Sequence, residues 1–152
     1  MSFITALESA LVARAQSDGT LVNLLGGTGA PRFTILWGAV TLPGAFVVCR
    51  AEETDPTDSF DKRSTNYTVT LDVFDSSDNG VTTCQAIMVR LLGDWPVQSN
   101  RQPSFGFDRW VPDVSSSGWN AGSGMIKRGT TTAHEKDEMH YTIRLEGNAT
   151  FG

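Results

Sequence analysis

Apolar and polar residues alternate along residues 65–75 of this 152-residue chain, which read TNYTVTLDVFD. The apolar set is Tyr67, Val69, Leu71 and Val73, and the polar set between them is Thr68, Thr70 and Asp72. Successive side chains of a strand point to opposite faces, so this pattern predicts a half-buried strand with one core face and one polar face.

Three other segments have strand patterns. Residues 33–37 and 45–51 are rich in apolar residues, and the second is nearly continuous, which is typical of a central strand. The last strand is predicted near the end of the sequence, where Met139, Tyr141, Ile143 and Leu145 alternate with His140, Thr142, Arg144 and Glu146.

Two segments have helical spacing instead. The apolar stripe of the first is Ile4, Leu7 and Leu11, and that of the second is Val81, Cys84, Met88 and Leu91. We expect Ser2 to cap the first helix and Asp18-Gly19 to end it in a left-handed turn, after which Leu21, Leu24 and Leu25 continue as a short second turn. We expect Asp78 or Asn79 to cap the second helix and Gly93 to end it.

Two stretches between these elements are polar. Residues 52–64 form a predicted loop that is rich in acidic residues and contains Pro56. Residues 94–136 form a long excursion rich in Gly, Ser and Thr and punctuated by aromatic residues. A structureless loop of that length is improbable, so we expect strands or hairpin arms near residues 104–113 and 122–132.

This order of elements predicts an α+β fold. One mainly antiparallel sheet would carry two helices on its apolar face, with the 94–136 excursion as a β-arm or loop. The length of 152 residues predicts a single domain over 1–152, because it suffices for one hydrophobic core.

The net charge of the chain disfavours some classes of binding partner. The net charge of −5 argues against non-specific attraction to nucleic acid or to an anionic membrane, and no apolar run is long enough for a membrane span. The N-terminal segment lacks a basic start and contains Glu8, so we do not expect a secretory leader. Cys49 and Cys84 lie in apolar patterns and are expected to be buried thiols.

The sequence has only weak matches to catalytic and metal-binding motifs. Residues 26–29 (GGTG) lack the Lys-Ser/Thr of a phosphate loop and are expected to form a turn. His134, Glu135 and His140 do not have zinc-motif spacing, and no Ser or Cys has an activating pattern. We therefore expect no catalytic residue, cofactor or metal. A small metal-binding or hydrolytic domain that uses these three residues stays the alternative from a different class.

The motifs ALESALVARAQSDGTLVNLLGG, FTILW, AFVVCRA, YTVTLDVFD, VRLLGDW and HYTIRLEG follow one another in this order. In this order the chain resembles the tail terminator or tail completion proteins of long-tailed bacteriophages, and the likeness covers essentially the whole chain. The resemblance implies a non-enzymatic virion protein that is assembled in the host cytoplasm. Another neck, connector or tail-end protein of the virion is an open alternative.

The resemblance also implies partners. Copies of the chain would form a ring, typically a hexamer, that caps the tail tube protein and joins the tail to a head-tail connector or stopper protein. DNA would pass through the central channel without specific binding, so acidic residues are candidates to line it: Glu52, Glu53, Asp55, Asp58, Asp61 and Asp72. The candidate subunit or partner contacts are Thr68, Thr70, Trp95, Phe105, Phe107, Trp110 and Trp119.

Overall fold

A computed structural model describes residues 2–26, 32–35, 44–54, 64–75, 80–92, 106–122, 124–135 and 138–151. The helices are α1 (Phe3–Ser17), α2 (Gly19–Leu24), α3 (Gly80–Leu92) and the 3-10 turn η1 (Ser115–Ser117). The strands are β1 (Phe33–Thr34), β2 (Phe46–Glu53), β3 (Ser64–Asp75), β4 (Trp119–Asn120), β5 (Ile126–Glu135) and β6 (Glu138–Phe151).

The described strands form one sheet in the order β1-β2-β3-β6-β4, and β5 also pairs with β6. β1 runs parallel to β2, whereas every other pairing is antiparallel. The predicted α+β class with a mainly antiparallel sheet is therefore confirmed. β3 is central and pairs along its whole length with β6.

The core lies between the sheet and the helices. The predicted apolar face of β3 is confirmed, because Tyr67, Val69, Leu71 and Val73 are fully buried. α1 contributes Phe3, Leu7, Leu11 and Ala15 to this core, and α3 contributes Cys84, Ile87 and Leu91. None of the helices in the described ranges is both long enough and apolar enough to cross a membrane.

The start of α1 agrees with the sequence, but its end does not. The Ser2 hydroxyl accepts a hydrogen bond from the Thr5 backbone N–H at 3.2 Å, which is the predicted N-cap. The predicted left-handed stop at Asp18-Gly19 is wrong, because Asp18 is extended and Gly19 is already the first residue of α2. The Asp18 carboxylate caps α2 by accepting from the Leu21 N–H at 2.9 Å.

Asp18 also ties the two long helices together. Arg90 near the end of α3 donates through Nε and Nη2 to the two oxygens of Asp18, at 2.9 and 2.7 Å. Both side chains are largely buried. These hydrogen bonds from Arg90 hold the pKa of Asp18 below its ordinary value, and the Leu21 N–H contributes in the same direction.

Other boundaries differ from the prediction. Glu52 and Glu53 belong to β2, where they pair with Thr68 and Tyr67, rather than to a loop. A strand near 104–113 is wrong for the described part of that range, residues 106–113, which contains no strand. The Phe107 backbone N–H instead donates to the Leu91 carbonyl, and Arg109 has a positive φ of 66°. The strand predicted near 122–132 exists as β5.

The predicted capping of α3 by Asp78 or Asn79 and its end at Gly93 lie outside the described residues. Within α3, the buried residues include Ile87, which the predicted stripe omitted. Met88 of that stripe is partly buried and packs against the core.

We predict that Asp18→Asn destabilises the protein by about 1–3 kcal/mol at pH 7, because it removes a charged partner of Arg90. Asn still caps a helix, so the added loss in Asp18→Ala, about 1 kcal/mol, isolates the cap. The folded pKa of Asp18 is depressed. Its contribution is therefore present above the unfolded pKa and is lost as pH falls through the folded pKa.

Urea unfolding of both variants from pH 7 to pH 2 measures these effects. The gap between wild type and Asp18→Asn should shrink at the acid end of the series. A gap that is constant over the whole series would contradict the role given to the ion pair.

Candidate functional site

The sheet face that points away from the helices, here called the second face, carries the polar set of β3. Its rows run across β2, β3 and β6 and are fixed by the strand register. From one end to the other, the rows are Phe46, Phe74 and His140; Val48, Asp72 and Thr142; Arg50, Thr70 and Arg144; and Glu52, Thr68 and Glu146. Side chains in one row are close enough to interact across strands.

Asp72 is the centre of a hydrogen-bonded cluster on this face. Its Oδ1 accepts from the Thr142 hydroxyl at 2.8 Å and lies 3.0 Å from His140 Nε2. Its Oδ2 accepts from Arg50 at 3.1 Å. The His140 ring stacks on Phe74, with ring centroids 4.2 Å apart. The Asp72 carboxylate is thus satisfied within the protomer, as a buried charge requires.

Glu146 lies two rows from Asp72, in the row that also contains Thr68 and Glu52. Its carboxylate lies 3.2 Å from Arg128 of β5 and 3.8 Å from Arg144 of its own strand. Glu52 is exposed at the other end of the same row. Three arginines (Arg50, Arg128 and Arg144) thus accompany three carboxylates (Asp72, Glu146 and Glu52), so these six charges of the second face sum to zero.

The acidic residues that were predicted to line a channel differ in their exposure. Glu52 is exposed, whereas Glu53 is half-buried and accepts from the Thr65 hydroxyl at 3.3 Å. Asp72 is only 3% exposed in the protomer. Residues of both adjacent strands surround its carboxylate, and its place in a channel wall stays a prediction. Asp55, Asp58 and Asp61 lie outside the described residues.

The residues predicted to contact another subunit or partner also differ in their burial. Thr68 is buried between Glu52 and Glu146, and Phe107 is buried in the core, where its ring stacks on Phe33. Both side chains are thus buried in the protomer, and their contact with a neighbouring subunit stays a prediction. Thr70 is half-buried on the second face. Trp95 and Phe105 lie outside the described residues.

Trp110 and Trp119 are half-buried and sit on α1. The Arg14 guanidinium lies 4.8 Å from the centre of the Trp110 ring, and its Nε donates to the Gly106 carbonyl at 3.0 Å. Trp119 packs on Phe3 with ring centroids 5.6 Å apart. Each indole packs against the protein on one side and is partly exposed on the other. Burial of the exposed part by a neighbouring chain stays a prediction.

Sequence reasoning missed Arg50, Arg144 and Glu146 as functional candidates. The signal was present, since Arg144 and Glu146 share the parity of His140 and Thr142 in the last strand. The sequence does not show the strand register, which places Arg50 and Arg144 on either side of Thr70.

Catalytic groupings find no support in the described part of the chain. No group of three His, Cys, Asp or Glu residues there is placed to hold a metal ion. The register pairs His134 with Met139 and His140 with Ala133, so the two histidines are not cross-strand neighbours, and the His134 and Glu135 side chains lie outside the description. Burial raises the pKa of the Cys49 and Cys84 thiols to about 12, so neither is an activated nucleophile.

Neither a protein-family model nor a curated protein matches the sequence. A solved structure shares the fold. It is a chain of the virion of a native gene transfer agent (GTA) particle, which matches with a TM-score of 0.60 over 96% of both chains at 14% sequence identity. At this identity the likeness shows a common fold over nearly the whole length.

We predict that Asp72→Ala destabilises the protein by about 1–3 kcal/mol, because it leaves Thr142, His140 and Arg50 without their shared acceptor. Thr70→Asp in the next row should change stability by no more than about 0.5 kcal/mol, since its carboxylate would lie between Arg50 and Arg144 at a half-buried position. Urea unfolding at pH 7 compares the two. Equal losses in both variants would contradict the central position of Asp72.

Proposed function

We propose that this chain is a structural subunit of a phage-like virion, and that its copies form a ring in the neck region. The observation that carries the proposal is the common fold with a chain of a GTA virion, matched over 96% of each chain. A likeness of this extent, together with the order of sequence motifs that resembles tail terminators, favours a structural role in the particle over enzymatic chemistry.

In this proposal the ring is a hexamer that caps the tail tube protein and binds a head-tail connector or stopper protein. It is assembled in the host cytoplasm and is retained in the virion, between tail and head. DNA passes through its central channel without specific binding. Closed rings of identical subunits are a common solution for such assemblies, because one repeated contact generates the whole structure.

Charge on the second face supports a passive channel. A surface with unpaired arginines would bind phosphates and retain DNA. Here Arg50 is bonded to Asp72 and Arg128 to Glu146, so these guanidiniums are electrostatically compensated within the protomer. We propose that the second face and the acidic segment beginning at Glu52 form part of the channel wall. In this wall Thr68 and Thr70 lie between the side chains of β2 and β6.

Native mass spectrometry and electron microscopy of the purified protein test the ring. We expect a single closed oligomer, six copies by mass, with a central channel wide enough for duplex DNA. A protein that stays monomeric across the accessible concentration range would refute the ring-forming function.

A charge series tests the channel wall. The variant Glu52→Lys, Asp55→Lys and Asp58→Lys spares Glu53, whose carboxylate bonds to Thr65. Its rings should retain DNA at low salt and release it as salt rises, and particles carrying it should deliver their genomes poorly. The matched control replaces the same three residues by Gln, Asn and Asn and should retain less DNA than the Lys variant. Full infectivity and no DNA retention in the Lys variant would exclude these residues from the channel.

A further inference from the structure

One row of the second face places two cations on either side of a hydroxyl group. The register sets Arg50 of β2 and Arg144 of β6 directly opposite Thr70 of β3. Beyond Arg144 the row ends at Gly129 of β5, so its four positions contain no acidic residue. Two like charges in one row repel each other, and no side chain of the row offsets them.

The two guanidinium groups have unused donors. Arg50 donates through Nη2 to Asp72 Oδ2 at 3.1 Å, which is its one side-chain hydrogen bond within the described ranges. Nη2 of Arg144 lies 3.8 Å from Glu146, beyond hydrogen-bond distance, and no described residue accepts a hydrogen bond from the Arg144 side chain. The side chains of Arg50 and Arg144 are 57% and 59% exposed. Most of their N–H groups are therefore free to bind a ligand from solution.

Thr70 forms the floor between the two arginines. Its side chain is half-buried, and its hydroxyl makes no hydrogen bond to a residue in the part of the chain that the structure describes. Beside Arg144 the row is open, because even a Cβ at Gly129 would meet no atom within 4 Å. The row thus has donor groups on both sides and at the floor of a position that is open to solution.

We propose that this row binds a single oxyanion, a carboxylate or phosphate group, between Arg50 and Arg144 and above Thr70. The planar forks of the two arginines match such a group, and charge-assisted hydrogen bonds of this kind are strong. The Thr70 hydroxyl supplies a further donor from below. A negative charge at this position also offsets the repulsion between the two arginines. The site lies within one protomer, so it does not depend on ring formation.

The neighbouring rows limit the ligand to one negative group. Asp72 lies in the row on one side, and Glu52 and Glu146 lie in the row on the other. Side chains on one face of a strand are about 7 Å apart along it, so these carboxylates would repel a second negative charge next to the bound one. An isolated oxyanion therefore fits the site better than a polyanion such as DNA.

Nuclear magnetic resonance of protein with isotope-labelled arginine tests the site, with inorganic phosphate as the probe. At constant ionic strength, the Nε–H signals of Arg50 and Arg144 should shift with phosphate and reach saturation in the millimolar range. The signal of Arg128 is the internal control, because its Nε already donates to Glu146 at 3.2 Å. Signals of Arg50 and Arg144 that shift without saturation, or no more than that of Arg128, would overturn the proposal.

Substitutions in the row test the geometry. Thr70→Asp places a carboxylate of the protein between the two arginines and should abolish phosphate binding. Its matched control, Thr70→Asn, has nearly the shape of that variant without the charge and should still bind. Arg144→Gln should weaken binding at least about tenfold, since a hydrogen bond to a charged group contributes on that order. Lys127→Gln removes the same charge outside the row and should leave binding unchanged. Phosphate binding by Thr70→Asp at the wild-type affinity would refute the site.

Two further arms identify the source of the oxyanion. If the ligand is a carboxylate of another protein chain, the Arg50 and Arg144 signals of the assembled protein are shifted before phosphate is added, and Thr70→Asp weakens assembly. If it is a free phosphate ion, phosphate shifts these signals equally in the monomer and in the assembly. Binding of duplex DNA that is lost in Arg144→Gln would contradict the restriction to a single oxyanion. A protein that binds phosphate but never assembles would keep the site and refute only the ring.

Discussion

The pairing of β3 with β6 is the constraint on which the rest of the structure depends. It joins 12 residues of β3 to β6, from Ser64↔Thr150 to Asp75↔Met139. Because side chains alternate along both strands, this single register decides which residues enter the core and which form the second face. A shift of β3 by one residue against β6 would turn Leu71 away from the core and place Asp72 under the helices.

That register also explains why the second face is more buried than its composition suggests. β3 is flanked on both sides, so Thr68 and Thr70 each lie between longer side chains from β2 and β6. Asp72 is enclosed by Arg50, His140 and Thr142. Arg50 and Arg128 are consequently paired with carboxylates of their own protomer, at 3.1 and 3.2 Å.

The edges of the sheet have a different character from its faces. One edge ends in the aromatic series Tyr67, Phe3, Trp119 and Phe151, which leads from the core to the surface through ring contacts of 5.4 to 5.6 Å. The other edge, beside α1, carries a groove with Val12 and Ile35 in its lining.

Local signals in the sequence were enough to predict several of the elements. Alternation in residues 65–75 and 139–145 was enough to place β3 and β6 and their core residues, and the Ser2 cap and apolar stripe were enough to place α1. Only the tertiary structure decided which polar residues meet. The partners of Asp72 are 22, 68 and 70 positions away, and no local pattern encodes such contacts.

Tertiary context likewise overrode local turn signals. Asp18-Gly19 has the composition of a left-handed stop, but Asp18 is extended, and its cap on Leu21 and its ion pair with Arg90 fix the start of α2. Phe107 lies in a polar stretch and so was expected at a surface, but the backbone bond to Leu91 brings its ring into the core. Periodicity reports which face of an element is apolar, whereas burial also depends on what the rest of the chain brings against it.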